Sequence, residues 1–255
     1  MTKSEIQLVK SLSDKRSRTE TGLFIAEGEK LISELRDSAL NVRKIYSLEG
    51  VFEGEGVEWV APREMERISQ LKSANNSVAL VDIPRYEMDI DELCGQLFLI
   101  LDSVQNPGNL GTIIRLADWF GIENIICSPN SADCFNPKVV QATMGAILRV
   151  KVHYTPLEEL LTELQQRKVP IYGTLLEGEN IYSQSLWPNG AIIMGNEGQG
   201  ISPEVQQFIS HKLFIPPFPA DRDGSESLNV SIATAVVCSE FRRRYSDGEP
   251  ARANP

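Results

Sequence analysis

The stretch LFLILDSVQNPGNLGTIIRLADWFG (97–121) decides how the rest of this chain is read. Its first part, LFLILDSV, is a continuous apolar run of strand length, the pattern of a strand buried on both faces of a parallel sheet. Pro107 and Gly108 then form a turn, and Asn109 stands where a helix N-cap is expected. Apolar periodicity carries a helix onward, with Arg115 about one and a half turns in. Strand, turn and helix in that order are one half of a strand–helix–strand unit.

The same alternation continues toward the C-terminus. Helices are expected over 109–121, 136–148, 156–168, 202–210 and 227–244, with strands over 122–128, 150–154, 170–176, 190–195 and 211–216. This predicts an α/β domain with a mainly parallel sheet covered on both faces, over residues 95–245. Toward the N-terminus a smaller α/β domain is expected over 1–88. Its elements are a charged helix to about residue 20, strands at 23–26, 42–50, 57–62 and 77–84, and helices after Glu27 and from Pro62. The polar, acidic stretch from Arg85 to Gly95 reads as the linker, and the tail SDGEPARANP (246–255) as disordered.

Composition narrows the class. The chain has 255 residues, of which 42% are hydrophobic and 24% charged, a profile of globular domains. No run of about 18 apolar residues suggests a membrane span. The first twenty residues lack the apolar core of a secretory signal, so the expected location is the cytoplasm. Four cysteines without a C-x-x-C pair, and only two histidines, give a metal site almost no ligand set; no metal is expected. The net charge of −10 excludes a protein that grips nucleic acid over its whole surface. Local basic patches survive at Lys10, Lys15, Arg16 and Arg18 and at Arg242 to Arg244. Such a protein can bind RNA by shape and a few phosphate contacts.

Ligands of open parallel sheets bind beyond the carboxyl ends of the strands. Three loops there carry polar or glycine-rich sequence. NPGNLGTIIR (106–115) follows the strand first quoted; its structural reading is a turn, a cap and a surface arginine paired with Asp118 or stacked on Trp119. MGNEGQGIS (194–202) sets a carboxylate, Glu197, among Gly195, Gly198 and Gly200. Its spacing is neither G-x-G-x-x-G nor a P-loop. IPPFPADRDGSESLNVSIATA (215–235) opens the last helix through Ser227, Leu228 and Asn229, residue types that cap helices.

Taken together, N-P-G-N-L-G-x-x-x-R, G-N-E-G-x-G and I-P…S-L-N-V-S-x-A resemble the three signature motifs of the SpoU/TrmH RNA methyltransferases of the SPOUT superfamily, over about residues 97–244. The front segment F-I-A-E-G-E-K-L-I is similar to the ribosomal-protein-like RNA-binding domain that precedes many members. The resemblance implies a C-terminal trefoil knot, a homodimer with the active site near the subunit interface, and transfer of a methyl group from S-adenosylmethionine to a ribose 2′-hydroxyl of RNA. It implies catalytic roles for Asn109, Arg115, Glu197, Ser227 and Asn229, and donor-binding roles for Thr174, Gly195, Gly198, Ile215 and Leu228. Ribosomal RNA is the expected substrate, with transfer RNA as the alternative. The loop 216–226 is longer than the family's usual one, and its Asp221, Arg222 and Asp223 bear on RNA approach.

The family proposal makes Arg115 the base. A guanidinium that stays protonated suits a bidentate phosphate clamp and electrostatic stabiliser better. Two other classes remain. A nucleotide-binding enzyme of another type lacks its phosphate-loop signatures here. A catalytically inactive RNA-binding relative would have no need of the five catalytic-motif residues.

Overall fold

The computed structural model describes residues 1–71, 73–219, 227–246 and 249–250. The expectations about the 216–226 loop and the tail fall largely outside these residues. By contacts the chain forms two compact units: Met1–Arg85 with Asp133–Leu148, and Tyr86–Ala132 with Arg149 onward.

In the first unit, two helices replace the single one expected at the N-terminus. α1 (Lys3–Ser11) begins with a capping box between Thr2 and Glu5, and α2 (Lys15–Thr21) restarts because the Asp14 side chain accepts the Arg16 backbone N–H. There follow β1 (Leu23–Glu27), α3 (Glu29–Arg36), β2 (Val42–Ser47), β3 (Val57–Trp59), α4 (Pro62–Ile68) and β4 (Ser77–Asp82). Their four strands form a mixed sheet in the order β1-β4-β2-β3, parallel only between β2 and β3. Ile6, Val9, Leu12, Ile25, Tyr46, Met65, Ile68 and Val78 make its core.

The second unit begins with α5 (Ile90–Cys94), a short helix capped by Asp89 inside the stretch expected to be linker. Its acidic side chains hid the helix from periodicity. Then come β5 (Leu97–Leu101), α6 (Pro107–Trp119) and β6 (Asn124–Cys127). α7 (Pro137–Thr143) and a 3-10 turn, Ala146–Leu148, follow. The expected division puts 133–148 in the second domain, whereas its contacts place it in the first unit, with Phe135 against Phe24 at 4.8 Å between ring centroids. Asp133 also accepts two hydrogen bonds from the buried Arg18, at 2.6 and 3.0 Å. Partners more than a hundred residues apart leave no local trace in sequence.

The second unit resumes with β7 (Lys151–Tyr154), α8 (Leu157–Gln166), β8 (Ile171–Asn180), β9 (Gly190–Met194), α9 (Pro203–Gln206), β10 (His211–Phe214) and α10 (Val230–Arg244). α9 is four residues, much shorter than the helix expected over 202–210. The six strands run parallel throughout, in the order β10-β8-β9-β5-β6-β7. The central strands β5 and β9 are buried at every residue, which is why they read as unbroken apolar runs. Successive side chains alternate between faces. Phe98, Ile100, Ile171 and Ile193 pack with Leu160, Leu161 and Leu164 of α8, while Tyr172 meets Phe241 of α10 edge-on at 4.9 Å on the other face.

Chain order along the sheet reverses between β5 and β9. After β5 the chain moves outward through β6 and β7, then returns by way of β8 to β9 on the other side. The crevice at the carboxyl ends of β5 and β9 is therefore the switch point where such sheets bind ligands.

Candidate active site

The loop leaving β5 is held in an unusual conformation. Ser103 has φ 58°, a left-handed value that non-glycine residues rarely adopt. Its N–H donates to Ser128 Oγ at 2.8 Å and its carbonyl accepts from Asn196 Nδ2 at 2.8 Å. Beside it, buried Asp102 accepts the Ser202 N–H at 2.7 Å. The first loop is thus tied to the second at two points.

Helix α6 starts one turn earlier than its sequence suggests. The cap is Asn106, whose Oδ1 accepts from the N–H groups of Gly108 and Asn109, with Pro107 at the first helical position. Asn109 therefore lies inside the first turn, and its side chain is free to make longer contacts. Its Nδ2 donates to Glu197 Oε1 at 2.9 Å, and its Oδ1 accepts from Asn229 Nδ2 at 3.0 Å. Glu197 Oε1 also accepts the Asn106 N–H at 3.2 Å. Burial pushes the Glu197 carboxyl up, but the bonds from Asn109 and nearby backbone amides outweigh it and hold it below its ordinary value.

Asn229 does cap α10, as its residue type implied. Its Oδ1 accepts from the N–H groups of Ser231 and Ile232 and from Ser231 Oγ. Using the acceptor for the cap leaves the amide to reach Asn109. A continuous chain, Glu197–Asn109–Asn229, so links the three loops singled out in the sequence.

The glycine-rich loop is shaped by close backbone approach. Asn196 and Gly200 exchange both backbone hydrogen bonds, and Asn196 Oδ1 accepts from Gly198 and Gln199. A Cβ on Gly195 would lie 2.2 Å from the Gly200 carbonyl carbon, so no larger residue fits this crossing. Gly198 itself is exposed.

Arg115 and Ser227 are not drawn into the chain. Arg115 is exposed, with no hydrogen bond or ion pair among the described residues. Six residues beyond Asn109, it projects about 120° around the helix from it. The expected pair with Asp118 does not form, because Arg149 takes that carboxylate at 2.9 Å. Ser227 is exposed and begins the segment before the α10 cap.

The donor-site candidates gather by topology. Gly195 and Ile215 stand just past the carboxyl ends of β9 and β10, and Thr174 directly follows the β8 residues Ile171 to Gly173 that pair with β9. Thr174 is half-buried and its Oγ1 donates to the Ile193 carbonyl at 3.4 Å. There β8 leaves β10: Lys212 pairs with Gly173 but Leu213 with Glu179, so residues 174–178 loop out of the ladder. Half-buried Ile215 and this loop offer an apolar side chain and backbone groups, a set that suits an adenosine-bearing group, while Leu228 is half-exposed before the α10 cap.

Sequence reasoning missed Asp102, Ser103, Asn106 and Asn196. Only Asn106 had a local signal, an Asn immediately before Pro at a helix start.

A six-stranded parallel sheet with a polar crevice at its switch point places the chain among the ligand-binding α/β proteins. Comparison with known proteins makes it specific. Residues 96–239 match the SpoU rRNA methylase family and residues 3–81 match the MRM3-like substrate binding domain. The chain belongs to the SpoU rRNA methylase family, whose members are S-adenosylmethionine-dependent RNA 2′-O-methyltransferases. Among curated relatives it is 28% identical to the 23S rRNA (guanosine(2553)-2′-O)-methyltransferase RlmP of Bacillus subtilis, over 91% of this chain and 94% of that one. A putative TrmH-family RNA methyltransferase from Porphyromonas gingivalis superposes with a TM-score of 0.85 at 34% identity, covering 96% of this chain and 99% of that one. An AdoMet-bound rRNA methyltransferase from Sinorhizobium meliloti gives 0.84 at 28% identity, with 95% of each chain covered. No helix among the described residues is long and apolar enough to cross a membrane.

Proposed function

We propose that this enzyme methylates the 2′-hydroxyl of a guanosine in 23S ribosomal RNA, working as a homodimer with a knotted C-terminal segment. The observation that carries the reading is the Glu197–Asn109–Asn229 chain, which binds three distant loops into one polar surface at the switch point. Similarity to RlmP over nearly the full length of both chains supports the substrate.

When bound, S-adenosylmethionine supplies a methyl group made electrophilic by its sulfonium sulfur. Thr174, Gly195, Gly198, Ile215 and Leu228 would hold it. The residues of this chain then have two tasks, alignment of the ribose oxygen and handling of its proton. Asn109 and Asn229, locked to each other, fix the loops that bear on the ribose. Glu197 anchors Asn109, and Ser227 contributes one hydroxyl as donor or acceptor. Arg115 clamps the target phosphate bidentately and stabilises charge developing on the 2′-oxygen, whose proton leaves to solvent. Its projection away from Asn109 fits service to the site of a second copy.

The test is methyl transfer from radiolabelled S-adenosylmethionine to 23S rRNA lacking the modification, followed by mapping of 2′-O-methyl positions. Labelling of transfer RNA alone would overturn the substrate. Mixing Arg115→Ala and Asn229→Asp proteins tests the dimer: each is expected to be inactive alone, and activity returns on mixing if the arginine acts across subunits.

A further inference from the structure

We infer that the groove at the free edge of β3, in the first unit, is a nucleobase subsite for single-stranded RNA: Trp59 is the stacking platform, Glu53 reads a guanine edge, and Arg43 contacts a phosphate. The inference rests on the reading of this protein as an RNA methyltransferase and adds where the RNA is held.

The groove has a volume of about 810 Å³ and is lined by Arg43, Glu53, Val57 and Trp59, among others. β3 is the edge strand of its sheet, and among the described residues of this unit no strand pairs with its outer side. Trp59 is 51% exposed, a large apolar area to leave in water. It is also fixed: its indole N–H donates to the Phe52 carbonyl at 2.8 Å. With that donor satisfied, the ring offers only its π-face, and its orientation is settled before any ligand arrives. A preset aromatic face is what a base stacks on, whatever its identity.

Phe52 ties a second group to the same place. The residue after it, Glu53, is exposed and lines the same groove as the indole. Guanine presents two adjacent donors, N1–H and N2–H, on its Watson–Crick edge, and a carboxylate can accept both. Unstacked bases read on that edge are the usual mode of sequence-specific RNA recognition.

The cation completes the set. Arg43 and Trp59 line the same groove, and because Ile45 pairs with Val57 and Ser47 with Trp59 in the parallel ladder, Arg43 lies four residues from Trp59 in register, or about 13 Å. Arg43 Nε is held by Asp82 at 2.8 Å, which leaves both terminal amino groups without a partner among the described residues. They can take a phosphate neighbouring the stacked nucleotide. Lys44 is not available for this, because Glu5 and Glu58 hold it at 2.6 and 2.5 Å.

The chain has three tryptophans, so Trp119→Phe with Trp187→Phe leaves Trp59 as the sole indole emitter. Adding an alternating adenosine–guanosine oligonucleotide should quench it. Glu53→Gln should weaken that binding about 5-fold or more, and leave an adenosine–cytidine oligonucleotide unaffected. Arg43→Ala should reduce the slope of log affinity against log salt by about one. In methyl transfer to 23S rRNA, Trp59→Ala should raise KM about 5- to 100-fold while kcat stays, and Trp59→Phe should largely retain the wild-type KM. Absence of quenching at saturating RNA, or an unchanged KM in Trp59→Ala, overturns the subsite. So does a change in oligomeric mass without a change in KM, which would make the face a protein contact. If the wild type methylated no RNA while quenching persisted, the functional reading alone would fall.

Discussion

Asn229 Nδ2 donates to Asn109 Oδ1 at 3.0 Å, joining residues 120 positions apart in the chain. The same Asn229 side chain caps α10 with its oxygen, so one residue holds the start of α10 and the first turn of α6 together.

Asn229→Asp separates these two duties. A carboxylate still accepts the Ser231 and Ile232 N–H groups, and it suits a helix N-terminus. It cannot donate to Asn109. Thermal melting should show Asn229→Asp close to wild type and Asn229→Ala lower by about 1 kcal/mol. Methyl transfer should fall in both. An active Asn229→Asp enzyme would show that the Asn109 link is dispensable.

The carboxyl of Glu197 is held below its ordinary value of 4.5 by its hydrogen-bond donors, despite burial. A carboxyl whose folded pKa is lowered adds stability that is complete above the unfolded value and disappears as pH falls through the folded one. The stability difference between wild type and Glu197→Gln should therefore be constant from neutral pH down to the ordinary carboxylate value, and shrink below it. Melting curves of the two proteins across that acid range check this.

Arg115 is exposed and carries no interaction among the described residues that would support the fold. Arg115→Lys should keep stability unchanged and lower kcat at least about tenfold, because the ammonium lacks the bidentate fork. Arg115→Ala should cost about 100- to 1,000-fold, the scale of losing one charge-stabilising donor. Full activity in Arg115→Lys would refute the clamp.

Gly195→Ala puts a carbon 2.2 Å from the Gly200 backbone, where no flexible side chain can yield. Overpacking of this kind costs about 1–3 kcal/mol or more. The variant should melt lower and lose affinity for S-adenosylmethionine in calorimetric titration, with the glycine-rich loop displaced.

Arg18 is 2% exposed and bonds both Asp133 and the Leu12 carbonyl. Arg18→Ala should destabilise the protein by about 3–5 kcal/mol, because it strands a partly buried carboxylate. Replacing both partners, as Arg18→Met with Asp133→Leu, should recover much of that loss in denaturant unfolding.

The amino-acid sequence by itself determined the strand–helix alternation, the parallel sheet and the three loops. These are local matters: Leu97 to Leu101 are apolar throughout because β5 is buried on both faces. It also marked Asn109, Glu197 and Asn229 as residues of interest. What those residues do to one another was decided only in three dimensions, since Asn109 lies 88 residues from Glu197 and 120 from Asn229. The cap of α6 moved from Asn109 to Asn106 because Pro107 opens the helix, and that shift freed the side chain on which the site is built. Likewise residues 133–148 joined the first unit through Arg18 and Phe24, partners that periodicity cannot see. Pattern within a window fixes elements; contacts between windows fix which elements meet, and the candidate site is made of the second kind.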